Sequence, residues 1–421
     1  MTQFDAIIVG AGAAGLTAAR ELKRAGRKVL ILEAGKRIGG RVLTTHGSSA
    51  GIPIELGAEF IHGDAPETTR LLDEARLVTV PVLGKHYRSD DGELSPQGPV
   101  WKRMSLVFKR INGDRKTDRS FQDFLDEKPG GRSLANEREL ARGFVQGFNG
   151  ADTSLISEKS LAQQGDPTEG AADARRIING YSALIDYIAR DVADDIKLNT
   201  MVQRIEWNDS GVRVASGNDK SFTAGAAIVT VPLPMLHNDS ITFDPDIPAL
   251  RKAATQLVMG QVVRVNIVVR ERFWEKKIDD LSYLHAPARP FSVWWTQNPL
   301  YAPVLTGWSG GPPAVDLLRS GNAEETAIAE LARVIGSHRD RIEKMIDTVH
   351  SHDWMSDRFF RGAYSYPAVG GAFASRTLAR PASPTVFIAG EATDSGSSGT
   401  VEGAIASGKR AALKLIERLR S

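Results

Sequence analysis

Short hydrophobic runs alternate with longer amphipathic segments along the chain, and this alternation predicts an α/β fold. The first two apolar runs, at 5–9 and 28–32, are short and contain β-branched residues, as buried parallel strands do. The segment 16–25 between them has helical composition. The chain is therefore expected to begin with a strand–helix–strand unit.

The same patterns predict the elements of the remaining chain. Strands are expected at 196–199, 202–207, 211–215, 226–232, 257–269, 281–285, 291–295, 304–308 and 385–389. Helices are expected at 101–111, 121–125, 134–148, 323–335, 341–346 and 404–419. Trp294 and Trp295 are interpreted as packing residues, although one face of their sheet could line an aromatic pocket.

Composition and charge narrow the class of protein. A chain of 421 residues is long enough for two or three domains. Its 53 lysines and arginines nearly balance 51 aspartates and glutamates, so no global field attracts nucleic acid and no such partner is expected. The sequence has no cysteine, which excludes disulfides and thiolate metal sites, and no metal site is expected.

Nothing in the hydrophobic pattern indicates export or membrane insertion. The apolar run near the N-terminus belongs to the first strand, and no basic segment precedes it. No uninterrupted apolar run reaches the roughly 18 residues that a spanning helix needs. We therefore expect a soluble, cytoplasmic protein with no membrane partner.

A glycine-rich turn follows the first strand directly. Residues 10–15 read G-A-G-A-A-G, and Glu33 stands at the end of the second strand. Gly10 allows the tight turn, Gly12 lets backbone approach a pyrophosphate, and Gly15 lets helix and strand pack closely. Glu33 lies where a carboxylate would accept hydrogen bonds from an adenosine ribose. The complete unit predicts a dinucleotide site.

A second pair of glycines lies shortly after Glu33. Gly39 and Gly40 are flanked by Arg37 and Arg41. The freed backbone can approach a phosphate or the edge of a cofactor ring, and Arg41 can reach a pyrophosphate. Because NAD enzymes also carry an acid after the second strand, Glu33 alone does not choose the dinucleotide.

Three segments together resemble a known family. They are the glycine turn, E-A-G-K-R-I-G-G-R-V at 33–42 and E-L-G-A-E-F-I-H-G at 55–63. All three are similar to the flavin-dependent amine oxidases, which include monoamine oxidases, polyamine oxidases and the flavin histone demethylases. The segment 354–366 and the final helix also resemble this family, whereas residues 80–175 match by position alone.

The resemblance implies a Rossmann-type FAD-binding domain interleaved with a substrate domain of helices and a mixed β-sheet. The FAD-binding domain would comprise residues 1–76, 190–245 and 355–421. The substrate-binding domain would comprise residues 77–189 and 246–354.

The resemblance also assigns residues that would bind FAD. Beyond Gly10, Gly12, Gly15 and Glu33, these are Ala14, Ala34, Arg37, Gly40, Arg41, Gly57, Ala58, Glu59, Val202, Gly390, Glu391, Thr400 and Val401. Ala363 stands where monoamine oxidases tether flavin through a cysteine, so noncovalent FAD is expected. The N-terminus of the final helix would stabilise negative charge on the flavin.

Four positions concern the substrate. Tyr364 matches one of two aromatic residues that flank the amine in monoamine oxidases, and Thr400 replaces the second, as in polyamine oxidases. His62 either faces the substrate, as in the polyamine oxidase branch, or has a structural role. Glu402 either anchors a cationic substrate or is a favourable carboxylate in the first helical turn.

Arg264 marks a departure from the family. The segment 259–265 resembles the family's M-G-x-x-x-K-V, whose lysine holds a water against flavin N5, but arginine occupies the lysine position. A guanidinium stays charged, whereas a desolvated lysine can take part in proton chemistry. Arg264 either holds a water or a substrate edge near N5, or extends from its strand to solvent.

The resemblance implies an FAD-dependent amine oxidase. A primary or secondary amine, polyamines included, would lose a hydride to flavin N5, and O2 would reoxidise the flavin to give H2O2. Two alternatives are a flavin-dependent desaturase or isomerase of a carboxylate or apolar substrate, and a flavin-bound interaction protein with little turnover. The sequence does not name the amine, and a homodimer stays open.

Overall fold

The computed structural model describes residues 3–166, 170, 172–217, 220–237, 240–287 and 289–420. The strands, in chain order, are β1 (Phe4–Val9), β2 (Val29–Leu32), β3 (Thr44–Thr45), β4 (Ile54–Glu55), β5 (Ile61–His62), β6 (Thr79–Pro81), β7 (Lys85–Asp90), β8 (Glu93–Pro96), β9 (Ala174–Ile177), β10 (Ile196–Lys197), β11 (Val202–Asn208), β12 (Gly211–Ser216), β13 (Ser221–Val229), β14 (Thr242–Asp244), β15 (Leu257–Gly260), β16 (Val262–Val269), β17 (Leu281–His285), β18 (Val293–Thr296), β19 (Val304–Gly310), β20 (Ile346–Ser351), β21 (Tyr364–Pro367) and β22 (Val386–Ile388).

The helices lie between and around these strands. The α-helices span Ala13–Arg24, Pro66–Ala75, Val100–Phe108, Phe121–Asp126, Ala135–Asn149, Glu158–Gln164, Ser182–Ala189, Pro234–His237, Pro248–Ala254, Pro312–Ser320, Ala323–Val334, Arg339–Met345, Ala374–Leu378 and Val401–Arg418. Short 3₁₀ helices span Gly131–Leu134, Arg190–Asp195, Phe273–Lys276 and Glu391–Thr393.

The first large sheet is built around β1. Its order is β10-β2-β1-β13-β12-β11-β14, and β22 also pairs with the end of β13. Strands β10, β2, β1, β13 and β22 run parallel. Their carboxyl ends meet at one edge, where Gly10, Glu33, Thr230 and Gly390 follow the strands. Ligands of open parallel sheets bind at this kind of edge.

The second large sheet is mixed and has the order β20-β16-β19-β18-β17-β7-β8. Strands β17 and β7 are parallel, whereas the other neighbours are antiparallel. Every residue of β16 is buried, because β19 and β20 flank it and helices cover it. This sheet places aromatic residues of β17, β18 and β19 opposite the first sheet's ligand edge.

Two glycines allow the first helix to pack closely. A Cβ at Gly15 would lie 2.0 Å from the carbonyl oxygen of Gly10, so only glycine permits this contact between helix and turn. A Cβ at Gly408 would lie 2.2 Å from the carbonyl oxygen of Ala14. The first helix and the final helix, Val401–Arg418, therefore pack directly against each other beside the glycine turn.

The predicted secondary structure is confirmed for most segments, and one difference is informative. The apolar run at 257–269 was expected as one strand, but it forms β15 and β16 with Gln261 between them. Strand β15 pairs with β21, whereas β16 joins the mixed sheet. Tertiary pairing thus divides a run that the sequence pattern alone predicts as one strand.

A smaller difference concerns the predicted helix at 341–346. The helix is Arg339–Met345, and Ile346 already begins β20. The strands of the first sheet fall within the segments predicted for the FAD-binding domain, and those of the mixed sheet within the segments predicted for the substrate domain. The domain boundaries themselves stay a prediction.

Candidate active site

One large cavity joins the two sheets. It has a volume of about 940 Å³ and extends from the glycine turn to the aromatic face of the mixed sheet. Every site residue predicted from the sequence lines this cavity except Gly15, Arg37 and Glu402. The structure therefore brings residues from all parts of the chain to one continuous space.

The glycine turn forms the first end of the cavity. Gly10 has a φ of +106°, a conformation that side chains strongly disfavour. A Cβ at Gly10 would also lie 2.8 Å from the hydroxyl oxygen of Thr230. Gly12 and Gly40 face each other, since a Cβ at Gly40 would lie 3.3 Å from the Cα of Gly12. The backbone of these glycines is thus exposed to the cavity, and a phosphate group could approach it closely.

Glu33 projects from the end of β2 into the same region. Its Oε2 accepts a hydrogen bond from the amide of Ala11 at 2.7 Å, and its Oε1 accepts one from the amide of Gly35 at 2.7 Å. These contacts orient the carboxylate beside the glycine turn, and Ala34 and Val202 also line the cavity there.

Arg41 connects the glycine-rich segment with the C-terminal part of the chain. Its Nη1 donates to the carbonyl of Ala363 at 2.7 Å and to Oε1 of Glu391 at 2.9 Å. Oε2 of Glu391 in turn accepts hydrogen bonds from the hydroxyl of Ser365 at 2.7 Å and the amide of Gly399 at 3.2 Å. This network fixes the cavity wall in front of the final helix.

Arg37 has a different position from its neighbour. Its guanidinium donates to the carbonyls of Ile38, Gly40 and Val42 at 3.1, 2.7 and 3.1 Å. Arg37 therefore shapes the turn that presents Gly40, and a direct contact with the cofactor stays a prediction.

Thr400 is the N-cap of the helix Val401–Arg418. Its hydroxyl accepts the amide of Gly403 at 3.0 Å and donates to the carbonyl of Ser397 at 2.7 Å. The helix N-terminus opens onto the cavity, since Thr400 and Val401 both line it. A capped N-terminus facing a cavity favours bound negative charge.

The far end of the cavity is an aromatic chamber. We use this name for the space lined by Phe60, Trp101, Phe144, Phe148, Tyr283, Trp295, Trp308 and Tyr364. Phe144 and Phe148 lie one helical turn apart and stack with ring centroids 4.9 Å apart. Trp295 and Trp308, on the adjacent strands β18 and β19, have centroids 5.6 Å apart.

Tyr364 lies where the chamber meets the final helix. Its ring packs against Gly399, where a Cβ would lie 3.4 Å away, and its hydroxyl donates to the carbonyl of Gly147 at 3.4 Å. Burial raises the pKa of Tyr364 above its ordinary value, so this phenol stays protonated at neutral pH.

A buried cluster of charges forms part of the cavity wall beside the chamber. Glu59 accepts hydrogen bonds from Nε of Arg176 at 2.5 Å, from Nη2 of Arg264, and from Nε1 of Trp295 at 3.2 Å. Arg176 and Arg264 are only 4 % and 5 % exposed. Burial alone would raise the pKa of Glu59, but the two arginines outweigh it and lower the pKa. The carboxylate is therefore ionised.

The remaining donors of the two arginines bind backbone and amide oxygens. Arg264 donates to the carbonyl of Gly57 at 2.9 Å and to Oδ1 of Asn266 at 3.3 Å. Arg176 donates to the carbonyls of Thr296 and Asn298 at 3.1 and 3.2 Å. Arg264 thus lines the cavity as a buried, multiply bonded side chain, and the interpretation that it extends to solvent is wrong.

His62 lines the chamber from β5. Its ring lies 5.1 Å from the ring of Phe148 and 5.7 Å from that of Phe60. Burial lowers its pKa to about 4, so the imidazole is neutral at physiological pH. Its Nδ1 is buried and has no hydrogen-bond partner among the described residues. A substrate could therefore supply the missing partner.

The sequence matches the model of a known protein family. The model of the family described as "Flavin containing amine oxidoreductase" matches residues 13–416. The chain belongs to this family. The predicted family, the α/β fold and the FAD cofactor are thereby confirmed.

Two groups of curated relatives resemble this flavin-containing amine oxidoreductase. Polyamine oxidase 2 of Arabidopsis thaliana is 27% identical over 457 residues, which cover 98% of this chain and 89% of that protein. Lysine-specific histone demethylase 2 of Homo sapiens is 27% identical over 439 residues, which cover 97% of this chain and 53% of that protein. The chain spans only 30% of lysine-specific histone demethylase 1 homolog 3 of Arabidopsis thaliana.

Solved structures show the same fold. Wild-type putrescine oxidase bound to putrescine has a TM-score of 0.85 and 23% identity, covering 98% of this chain and 99% of that chain. Cyclohexylamine oxidase from Brevibacterium oxydans IH-35A has a TM-score of 0.85 and 22% identity, covering 99% of this chain and 100% of that chain. At these identities the likeness concerns the fold alone.

The residues of this amine oxidoreductase fit FAD. Bare glycine backbone at Gly10 and Gly12 and the first helix N-terminus suit the pyrophosphate, and Glu33 suits the ribose. The hydroxyl of Ser398 lies at the cavity wall, buried and without a partner among the described residues. A cofactor heteroatom would satisfy this hydroxyl beside the N-terminus of the final helix.

Several site residues escaped prediction from the sequence. Phe144 and Phe148 lie in the segment that matches the family by position alone, and Arg176 is separated from Glu59 by more than a hundred residues. For Trp294 and Trp295 the sequence favours packing and leaves an aromatic pocket open; Trp295 lines the chamber, whereas Trp294 points the other way and is fully buried. Successive side chains of a strand point to opposite faces of the sheet, and this alternation is the signal in the sequence that distinguishes Trp294 from Trp295.

The sequence allows two roles for Glu402, and the contacts of its carboxylate show a third. Its carboxylate accepts the amide and hydroxyl of Thr68, both at 2.7 Å, and the amide of Glu67 at 3.2 Å. Glu402 thus caps the helix Pro66–Ala75 and does not line the cavity. It is not an anchor for the substrate.

Two general properties concern the described residues only. None of their helices has the length and hydrophobicity that crossing a membrane requires. None of their His, Cys, Asp and Glu side chains form a group of three or more that could hold a metal ion.

Proposed function

We propose that the protein oxidises a primary or secondary amine to an imine, which water then hydrolyses. Bound FAD would accept a hydride from the α-carbon at N5, and O2 would take the electrons as H2O2. The observation that carries the proposal is the continuity of the cavity. A dinucleotide-binding end with Glu33 and an aromatic chamber with Tyr364 share one space of about 940 Å³.

The chamber residues support this chemistry by binding and orienting an amine. The aromatic walls exclude water, and the ring of Tyr364 would pack against the carbon adjacent to the nitrogen. The excess positive charge of Arg176 and Arg264 favours the neutral amine over the ammonium, and only the neutral form can lose a hydride. The free Nδ1 of His62 would accept a hydrogen bond from the amine.

The C-terminal segment supports the reduced state of the cofactor. The N-terminus of Val401–Arg418, capped by Thr400, carries a partial positive charge toward the cavity. Preorganised backbone donors of this kind stabilise negative charge that develops during a reaction. Thr400 therefore acts through the helix cap, and its position beside the substrate stays part of the proposal.

Arg264 sets the expected limit on turnover. A guanidinium cannot give up its proton at neutral pH, so it cannot relay a proton as a desolvated lysine can. All three of its nitrogen atoms also donate to protein oxygens. We therefore propose slow reoxidation by O2 relative to a lysine-bearing variant.

The domain organisation is part of the same proposal. We propose that residues 1–76, 190–245 and 355–421 form the cofactor domain and that residues 77–189 and 246–354 form the substrate domain. The membership of the two large sheets supports this division. A cytoplasmic location is likewise proposed, and cell fractionation tests it.

A carboxylate substrate is the second candidate, because an excess of positive charge faces the chamber. The contacts of Arg264 speak against it, since Glu59, Gly57 and Asn266 already occupy its three nitrogens. A bidentate substrate carboxylate would have to displace Glu59.

Anaerobic reduction of the bound flavin tests the proposed function. The purified protein is mixed with a panel of alkylamines and arylalkylamines and, separately, with carboxylates of matched size. We expect amines alone to bleach the flavin absorbance, and admission of air to release H2O2. Reduction by carboxylates alone would favour the desaturase, and no reduction by either class would contradict an enzymatic role.

A further inference from the structure

The charges around the aromatic chamber do not balance. Arg176 and Arg264 share the single carboxylate of Glu59, which leaves an excess of one positive charge. All three side chains are nearly excluded from solvent, with exposed fractions of 5 % or less. Water therefore screens this excess only weakly.

Nearby acids do not compensate for it. The acidic side chains among the described lining residues are Glu33, Glu59, Glu139 and Glu391. Glu33 and Glu391 belong to the cofactor end, and Glu139 is 69 % exposed beside Arg142. Glu55 lies close to the cluster, but burial raises its pKa to about 7, so it is only partly ionised at neutral pH.

Each of the two positive charges lies against an aromatic ring of the chamber. The Cζ of Arg264 lies 5.5 Å from the ring centroid of Trp295, and the Cζ of Arg176 lies 4.7 Å from that of Phe60. Both rings line the cavity. Their π-systems are therefore already engaged by the protein's own cations, which makes them poor partners for a second cation from a substrate.

We infer that the chamber selects amines with one basic nitrogen and an apolar or aromatic body, and rejects diamines whose second ammonium would lie inside the chamber. The inference rests on the proposed function and names its substrate class. It separates this chain from an enzyme that recognises polyamines, in which an unpaired carboxylate within reach of the distal nitrogen would favour binding.

The size of the effect follows from the buried charge. An ammonium placed roughly 10 Å from one uncompensated charge, at an effective dielectric of about 20, is disfavoured by about tenfold. Loss of hydration at the distal nitrogen adds to this penalty, because aromatic carbon replaces water around it. We expect a monoamine to exceed its isosteric diamine by at least about tenfold in the ratio of limiting reduction rate to Kd.

Heptylamine and hexamethylenediamine form the matched pair, since they differ by a terminal methyl group in place of an ammonium. Stopped-flow reduction of the flavin gives a limiting rate and a Kd for each. The difference should appear in Kd more than in the limiting rate, because the distal group is remote from the reacting carbon. An arylalkylamine should bind more tightly than heptylamine does.

Variants at Arg176 show whether the charge is responsible. Arg176 does not line the main cavity, so Arg176→Gln removes the excess charge with little change in chamber shape, while Arg264 still pairs with Glu59. In this variant, the Kd values of the monoamine and the diamine should be closer to each other than in the wild type. Arg176→Lys keeps the charge and should keep the preference. Arg175→Gln is the control, because Arg175 is the adjacent residue but donates hydrogen bonds to Gly63 and Thr69. This control should keep the preference for the monoamine.

The outcomes separate the two proposals. Equal or better binding of the diamine, with both amines reducing the flavin, overturns the inference and leaves the proposed function intact. If no amine reduces the flavin, the proposed function fails. The charge preference is then decided by calorimetric binding of a monoamine and a diamine whose amino-bearing carbons carry no hydrogen: tighter monoamine binding supports the inference, and equal binding overturns it.

Discussion

The two ends of the cavity are built in different ways. Around the glycine turn of the cofactor end, contacts are local and use backbone: Glu33 binds the amides of Ala11 and Gly35, and the glycines exclude side chains. At the chamber end, side chains from distant segments meet, as Glu59, Arg176 and Arg264 do. The first end is specified by a short motif, whereas the second depends on the assembled fold.

This contrast has an energetic consequence. The hydrogen bonds that Glu33 makes beside the glycine turn have a modest net value, about 0.5–1.5 kcal/mol each. The chamber end holds buried ions, and each would cost several kcal/mol without its partners. Loss of one of these buried ions should therefore affect folding, whereas loss of Glu33 should mainly affect flavin binding.

Glu59→Gln should have the largest effect and would sharpen the comparison. The variant leaves Arg176 and Arg264 buried without a counter-charge, which is expected to cost about 3–5 kcal/mol of stability. Denaturant unfolding of the wild type and the variant measures this difference in the free energy of unfolding. Glu139→Gln removes an exposed acid at the same cavity and should change stability by less than about 0.5 kcal/mol. Similar stabilities for both variants would show that the cluster does not support the fold.

The same contrast explains how much the sequence could predict. Periodicity located most strands and helices, and the glycine spacing with Glu33 located the cofactor end, because both are local properties. The position of Arg264 was predicted from one matched segment, yet its partners were not. Glu59 lies about 200 residues away in sequence, and no local pattern indicates that Arg176 completes the cluster.

The chamber lining was harder to predict for a related reason. Phe144 and Phe148 face the cavity because of the rotation of the helix Ala135–Asn149 against the mixed sheet. An amphipathic pattern indicates that one face of a helix points into the protein, but it does not show whether that face packs in a core or lines a cavity. The division of residues 257–269 into β15 and β16 was equally hard to predict, because it depends on the different strands with which the two halves pair.

Glu55→Gln should have the next largest effect, and it depends on pH. Burial raises the pKa of Glu55 from 4.5 to about 7, so the folded state holds a proton that the unfolded chain releases. Stability from this group is present below pH 4.5 and is lost as the pH rises toward 7. Glutamine imitates the protonated acid, so the variant should gain roughly 3 kcal/mol over the wild type above pH 7.

The measurement for Glu55 is the difference in unfolding free energy between variant and wild type across this pH range. Using the difference removes the contributions of other groups, such as His62, whose stabilising effect has the opposite sign and rises with pH between about 4 and 6.5. A difference that stays constant from pH 4.5 to pH 7 would show that Glu55 titrates normally.

Glu33→Ala should have the smallest effect on the fold and test the cofactor end. The variant removes the carboxylate that is proposed to bind the ribose, a charged hydrogen-bonding group worth roughly 1.5–3 kcal/mol, or one to two decades in FAD affinity. Fluorescence titration of the flavin-free protein with FAD measures the affinity. Lys36→Ala, at an exposed neighbouring position, is the control and should bind FAD as the wild type does. Unfolding free energies of the flavin-free proteins should differ by no more than about 1–3 kcal/mol, because among the described residues the Glu33 carboxylate accepts hydrogen bonds from two amides, worth about 0.5–1.5 kcal/mol each. A large loss of stability with unchanged FAD affinity would reverse the comparison, since Glu33 would then hold the turn together without touching the cofactor.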